Sequence, residues 1–520
     1  MIPNEAGVVI ILNGQSLTNK LPWDEIKQNA VFAKMNADTS VPAYVKMIAD
    51  NPEKAGIDIK NDVDVFMIKD TSGMYIGIEG LIKDMDKFRL FNLDLTKNGF
   101  ESEKGSIKTI TSYPVIVGYN KERFVYVIDK HYTGTINLNS MINKNSPSRD
   151  LAGTCESIFN LSEKNSLGSN EEFTSLVNKK ADIYCWFNVE QLSKGSLGGV
   201  TGGLLNMDKM YEGNVTTATV NFDNGKINVD LTSYAGKEMT AIWKKYEGSA
   251  FNQDMVKMLP SKEVAALFAL NFKPEGIREM VKTMGMEGIL NLGLAFAGFT
   301  MDDFIKANKG DILFAVTDIK MKPDSSSKPD ILLAASVGDK DAMNVLIKAG
   351  KKMSSDKLGD SAQLPISYNT NGKYFVMSNS KEKADKFLEG GNNSFDFLSK
   401  ISGKPFGGFV DFQYILKAIP DGASDSSKKV VYDASLKMWD NLYYKGGNYS
   451  DGGLSQTIEI NLMDKNTNSL KQLNQYGAIL ALLAEEKKRK NEVRNASMPN
   501  NRNDSMIPVK PVHHIHKTGH

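Results

Sequence analysis

The chain has 520 residues, 41% of them hydrophobic and 9% aromatic, which suffices for ordinary packed cores and excludes a chain disordered throughout. Its formal net charge is +1, from 63 Lys and Arg against 62 Asp and Glu, a poor basis for binding nucleic acid through its phosphates. The best apolar run, Gly477–Ala484, falls far short of the roughly 20 residues a bilayer-spanning helix needs.

In chain order, Val8–Leu12 is a short continuous apolar run, the pattern of a strand buried on both faces. A helix is predicted from about Trp23 to Met35, opened by Pro22, whose missing N–H costs nothing there, and Val41–Ile48 continues as a second. Val63–Ile68 and Met74–Glu79 form a hairpin turning on Asp70–Gly73. Leu81–Phe91 reads as a helix with Leu81, Met85 and Phe88 on one face, and Val115–Tyr119 with Phe124–Ile128 as a second hairpin. Helices fill much of Leu151–Asn178, and Asp182–Val189 is a strand. Val215–Phe222 and Lys226–Ser233 then pair across Asn224-Gly225, a strong short-range hairpin signal.

The second half runs through the same series. It gives a strand at Val264–Leu270, helices over Pro274–Ala297, a hairpin of Asp311–Ile319 with Ile331–Val337, and a helix at Asp339–Met353. A hairpin of Ile366–Tyr368 with Tyr374–Met377, a strand Gly407–Phe412, a helix across Lys428–Tyr443 and a strand Ser455–Met463 complete it. The residues themselves repeat. Pro3-Asn-Glu-Ala-Gly-Val-Val-Ile-Ile-Leu-Asn13 returns as Pro260-Ser-Lys-Glu-Val-Ala-Ala-Leu-Phe-Ala-Leu-Asn271, Gly56–Ile68 as Gly298–Val316, and Tyr113–Ile128 as Leu364–Met377. Hairpins mixed with crossing helices indicate an α+β protein of two tandem duplicated modules, 1–250 and 251–466, each a mainly antiparallel sheet with helices packed on one face. From 467 to 495, Leu470, Leu473, Tyr476, Leu480 and Leu483 recur at helical spacing and predict an amphipathic helix docked on the second module. Residues 496–520 have almost nothing to bury and read as a disordered tail.

Catalytic signatures are missing from the sequence: no phosphate-cradling loop, no H-E-x-x-H, no C-x-x-C and no G-x-S-x-G. Gly198-Gly-Val-Thr-Gly-Gly203 lacks dinucleotide-binding spacing and reads as a flexible loop. Of five histidines, His131 alone precedes the tail, where a surface role at a strand end suits it. The tail cluster His513-His-Ile-His516 has no fold to preorganise a metal. Asn92–Glu103 echoes a calcium loop, but Lys97 stands where glycine is needed. Asp302-Asp303 suits a helix start, and Lys487–Lys490 a solvated helix end open to anionic lipid headgroups. Cys155 and Cys185 are either bridged or two free thiols. No cofactor, metal site or catalytic residue is expected. The candidates for ligand binding are Trp439, Tyr443 and Tyr449, as an aromatic groove for a sugar or peptide, against the plainer reading of core residues at a helix end.

The opening Ile2–Asn13 followed by Gln15-Ser-Leu17, the Gly56-Ile-Asp-Ile59 strand entry and the Pro260 restart resemble a family of envelope proteins of about this length from Gram-negative gut-type bacteria, catalogued only as a domain of unknown function. The likeness runs from Ile2 to about Leu483 through diffuse pattern. It implies a lipoprotein of the cell envelope whose leader and lipidated cysteine are missing from this sequence, and it brings no activity and no site residues. The expectation is therefore a non-catalytic, lipid-anchored binding or scaffolding protein whose partner is an envelope protein or glycan, touching the membrane only through its anchor. The alternatives are an envelope carbohydrate or peptide hydrolase with a carboxylate pair between the modules, and a cytoplasmic protein.

Overall fold

The computed structural model describes residues 2–39, 41–70, 72–97, 99–129, 149–193, 211–321, 327–358, 366–419 and 426–496. His131, the Gly198–Gly203 loop, the tail histidines and the residues from 497 onward lie outside them.

Strands of the first half are β1 (Val8–Leu12), β2 (Val63–Asp70), β3 (Gly73–Leu81), β4 (Phe100–Lys104), β5 (Ile107–Ser112), β6 (Val115–Tyr119), β7 (Arg123–Asp129), β8 (Ile183–Asn188), β9 (Val215–Asp223) and β10 (Lys226–Tyr234). Those of the second are β11 (Val264–Asn271), β12 (Asn308–Met321), β13 (Ser327–Val337), β14 (Ser367–Thr370), β15 (Tyr374–Ser378), β16 (Phe406–Asp411), β17 (Trp439–Ser450) and β18 (Gly453–Leu462). All pair antiparallel into one continuous sheet and, with the helices packed on it, make the fold α+β. From one edge the first half runs β4-β5-β6-β7-β3-β2-β1-β8-β9-β10. The second continues β18-β17-β16-β11-β12-β13-β15-β14. Outward from the junction, β10-β9-β8-β1-β2-β3-β7-β6 on one side matches β18-β17-β16-β11-β12-β13-β15-β14 on the other, connection for connection. The junction itself is a strand pair, registered from Lys226–Asn461 to Ser233–Leu454 and braced by the Lys226–Glu459 ion pair at 3.3 Å.

Alternation along the strands separates two faces. Register carried from β8 through the junction to β16 puts Trp186 and Phe409 on the same one. On that face the first core packs Phe66, Val125, Val127 and Trp186 with helices Leu151–Phe159 and Glu171–Val177. The second packs Leu267, Leu313, Val376 and Phe409 with helix Lys381–Glu389. The opposite face carries two smaller clusters, one around Phe88 and Phe124, the other around Ala307, Val337 and Met343. Helices thus cover both faces, where one was expected.

Several boundaries differ from the sequence-based expectation. Leu81 ends β3, paired with Arg123, and the helix begins later, at Met85, where the Asp84 side chain accepts from the Lys87 N–H. The charged hairpin β4–β5 was not predicted; β4 is exposed throughout and gains its place from pairing with β5. The helix expected across Lys428–Tyr443 stops at Met438, and Trp439 opens a strand. No Gly or Pro marks that stop. Partners on β16 and β18 claim the aromatic-rich run, as suits its β propensity. The terminal helix Ser469–Ala496 packs on both halves, with Asn29 donating to Asn474 and Lys471 paired to Glu25 at 2.6 Å.

Candidate functional site

The loop after the turn Pro52–Ala55, strands β2, β3, β6 and β7, the end of β5 with its turn, and helix Met85–Leu95 line a surface-open cavity of about 680 Å³. Each element enters for a local reason. Gly56 takes a left-handed φ of +76°, and a Cβ there would lie 2.2 Å from the Asp84 carbonyl. Only glycine lets the Ile57–Ile59 loop lie this close to the helix start. Val63, Ile78, Val115, Phe124, Tyr126 and Ile128 point into the space from the strands, on the face away from the large core. Phe91 and Leu95 reach it from the helix, and Tyr44 backs Phe91 edge-on at 6.3 Å. One end is sealed by Phe88 stacked on Phe124 at 5.0 Å. At the other, Leu95 and Tyr113 are 38% and 48% exposed and form the rim.

The wall contains no Asp, Glu, Lys, Arg or His. Most of its hydroxyls are engaged with the fold. Tyr126 donates to Asn92 Oδ1 at 2.6 Å, Thr96 to the Asn92 carbonyl at 2.6 Å, and Tyr113 to Asp129 Oδ2 at 3.3 Å. Burial holds the Tyr126 hydroxyl well above the ordinary tyrosine range. With nothing to carry a proton near neutral pH, the cavity can bind but offers no acid or base. Its volume lies within the range of small-molecule pockets and far exceeds a packing void. Asn92, the first residue of the calcium-loop echo, is fully buried in the helix, where its amide donates to the Phe88 carbonyl at 2.9 Å.

Buried carboxylates lie on the opposite face. Asp64 and Glu79 face each other across β2–β3, and burial first, then the Glu79 charge, pushes the Asp64 carboxyl up to about 7. The pair lies on adjacent strands within the first half and not between the two halves. Asp129 is fully buried 3.8 Å from the Arg149 guanidinium, which also grips Asp70 through two bonds. Among the described residues, no three His, Cys, Asp or Glu are grouped to hold a metal. Cys155 and Cys185 are free thiols, and burial pushes Cys155 up to about 12.

The three aromatic candidates lie along β17. Trp439 packs edge-on against Phe412 at 6.2 Å and Tyr476 of the terminal helix at 5.7 Å. Tyr443 stacks on Phe409 at 5.7 Å and joins the second core. Tyr449 lies ten residues beyond Trp439, roughly 33 Å along a strand, beneath Lys244 and donating to the Gly452 carbonyl at 2.7 Å. None of the three lines the cavity. Val63, Ile78, Val115, Phe124, Tyr126 and Ile128 were within the predicted strands and Phe91 within the predicted helix, but nothing in a run such as Phe124–Ile128 says that its outward face stays uncovered. The one available signal was that both faces are apolar.

Fold and site together define an α+β protein with an apolar pocket open to the surface. The model of the family described as "Domain of unknown function (DUF4836)" matches residues 1–382, and the chain belongs to that family. The match crosses from the first half into the second. No curated protein matches the chain. Two crystal forms of TP0453 show a partial likeness. Form I is 10% identical, covers 46% of this chain and 80% of its own, and has a TM-score of 0.25. Form III is 11% identical, covers 48% and 89%, and has a TM-score of 0.26.

Proposed function

We propose that the protein is a non-catalytic, lipid-anchored binding protein of the cell envelope, and that its ligand is an apolar molecule of acyl-chain type held in the first-half cavity. The observation that carries the ligand class is the cavity wall: about 680 Å³ bounded by aliphatic and aromatic side chains with no ionisable acid or base except tyrosine. Each methylene moved from water into such a site is worth about 0.8 kcal/mol, so a single chain gains affinity without any charged contact. Envelope location and the anchor rest on the resemblance of Ile2–Asn13 and its companions to the lipoprotein-like family.

The test is displacement of cis-parinaric acid, a fluorescent fatty acid, from the purified chain. Wild type binds the probe and releases it to saturated fatty acids, whereas Ile78→Trp, which fills the cavity, binds at least about tenfold more weakly. Wild type that binds no probe, or Ile78→Trp that binds equally well while melting at the wild-type temperature, overturns the reading.

A further inference from the structure

Helix Glu287–Ala297 has no buried residue. Ile289, Leu292 and Phe296 are 59%, 61% and 82% exposed, and their spacing aligns them on one face. From Gly288 to Phe299 the single polar side chain is Asn291. A helix that docks on protein keeps a polar outer face, whereas one that is apolar all round belongs in an apolar medium. This helix is apolar all round and stands in water. With Met301–Ala307, to which it is bent by 76°, it forms a pair apolar enough to enter a membrane, although no single helix among the described residues is long and apolar enough to cross one.

Its surroundings point to lipid over a second copy of the chain. Exposed Lys282, Lys348, Lys351 and Lys352 stand on the two flanking helices, Glu275–Thr283 and Lys340–Leu358. Of the nearby acids, Asp302 pairs with Arg278 and Asp303 closes a capping box with Thr300, while Glu275, Glu287 and Asp341 are exposed in the first turns of the three helices. A charge-free ridge flanked by lysines is the composition of a segment lying at the headgroup boundary of an anionic bilayer. In a homodimer Phe296 would instead be the aromatic anchor, seated in a complementary pocket of the second copy.

We propose that Glu287–Ala297 is a membrane-contact element, with Ile289, Leu292 and Phe296 inserted among acyl chains and the flanking lysines near anionic headgroups. It uses none of the cavity residues, and it adds a second membrane contact to any lipid anchor.

The full chain without a lipid anchor is sedimented with vesicles of phosphatidylethanolamine and phosphatidylglycerol. Wild type co-sediments, less so when phosphatidylglycerol is omitted, and Phe296→Asp lowers the partition at least about tenfold. Phe296→Trp gains blue-shifted emission on vesicles, quenched by lipids brominated along the acyl chain. Phe296→Asp also keeps wild-type affinity for parinaric acid, so the cavity reading and this one fail separately. Three outcomes overturn the proposal: wild type that stays in the supernatant, Phe296→Asp that sediments like wild type, or a vesicle-free wild-type dimer that Phe296→Asp converts to monomer.

Discussion

Helix Met85–Leu95 and helix Lys340–Leu358 hold equivalent positions: each follows the third strand of its half and lies on the face away from the large core. Under the second, Ala307, Val337, Ala342 and Met343 are buried together, with Leu346, Ile347 and Phe375 packed against them. Ala307, at the end of helix Met301–Ala307, and Ala342 let that helix and Lys340–Leu358 approach closely, and together they close over Val337 and Phe375. Under the first, Phe91, Phe124, Tyr126 and Ile128 are large and rigid, Phe88 props the helix at one end, and the space beyond stays open. One arrangement of strands and helices therefore yields a core or a pocket, according to whether the facing side chains are small enough to meet. The buried carboxylates differ in the same spirit. Asp64 faces Glu79 in the first half; in the second, Asp311 stands opposite Ser336 and accepts from Asn271 at 2.8 Å.

Substitutions can break this contrast. The largest effect belongs to Phe88→Ala: the ring is fully buried at the packed end of the cavity, and its loss should cost about 3–5 kcal/mol in urea denaturation. A cost under about 1 kcal/mol would mean that the closed end is as loose as the open one.

Asp64→Asn comes next. The folded Asp64 holds its proton up to about 7, against an ordinary value of 3.8. The raised value favours the folded state fully below 3.8, and that stabilisation is lost as pH rises through about 7. Wild type should lose about 4 kcal/mol at most across this window, and Asp64→Asn should flatten the profile. Glu79→Ser, which copies the second half, should flatten it in part. Melting curves taken across the window decide; identical profiles in all three proteins would remove the carboxyl pair as a cause.

Volume added on each side gives the direct comparison. Ala342→Leu overpacks the closed cluster and should cost about 2 kcal/mol, whereas Ile78→Phe enters empty space and should change stability by less than about 0.5 kcal/mol. Equal costs in thermal melting would show that the two clusters are packed alike. Smallest of all is Phe296→Asp, whose side chain touches little: denaturation should stay within about 0.5 kcal/mol of wild type.

Most strands were legible because their signals are local. Val8–Leu12, the Asn224-Gly225 hairpin and the second-half strands other than β17 lie where the pattern put them, within a residue or a few. What failed was decided by distant partners. The run from Trp439 is helical or extended according to whether β16 and β18 claim it, and residues 428–443 hold no trace of either. The charged β4 depends likewise on β5. The cavity was less legible still. Its lining comes from five strands, two loop segments and a helix, and a vacancy is a property of the gaps between them. The exposed apolar run Gly288–Phe299 could be seen in the sequence, but there it is indistinguishable from a core helix.

The β10–β18 pairing has a consequence for the halves taken singly. Severed from its neighbour, either half would present a long bare strand whose backbone donors and acceptors all look for a mate. The native mate runs antiparallel, and the strand order on its far side is the same. A lone half could therefore satisfy its edge with another copy of itself, β10 against β10 about a two-fold axis. Such a dimer would reproduce, from two short chains, the continuous sheet that this single chain builds within itself.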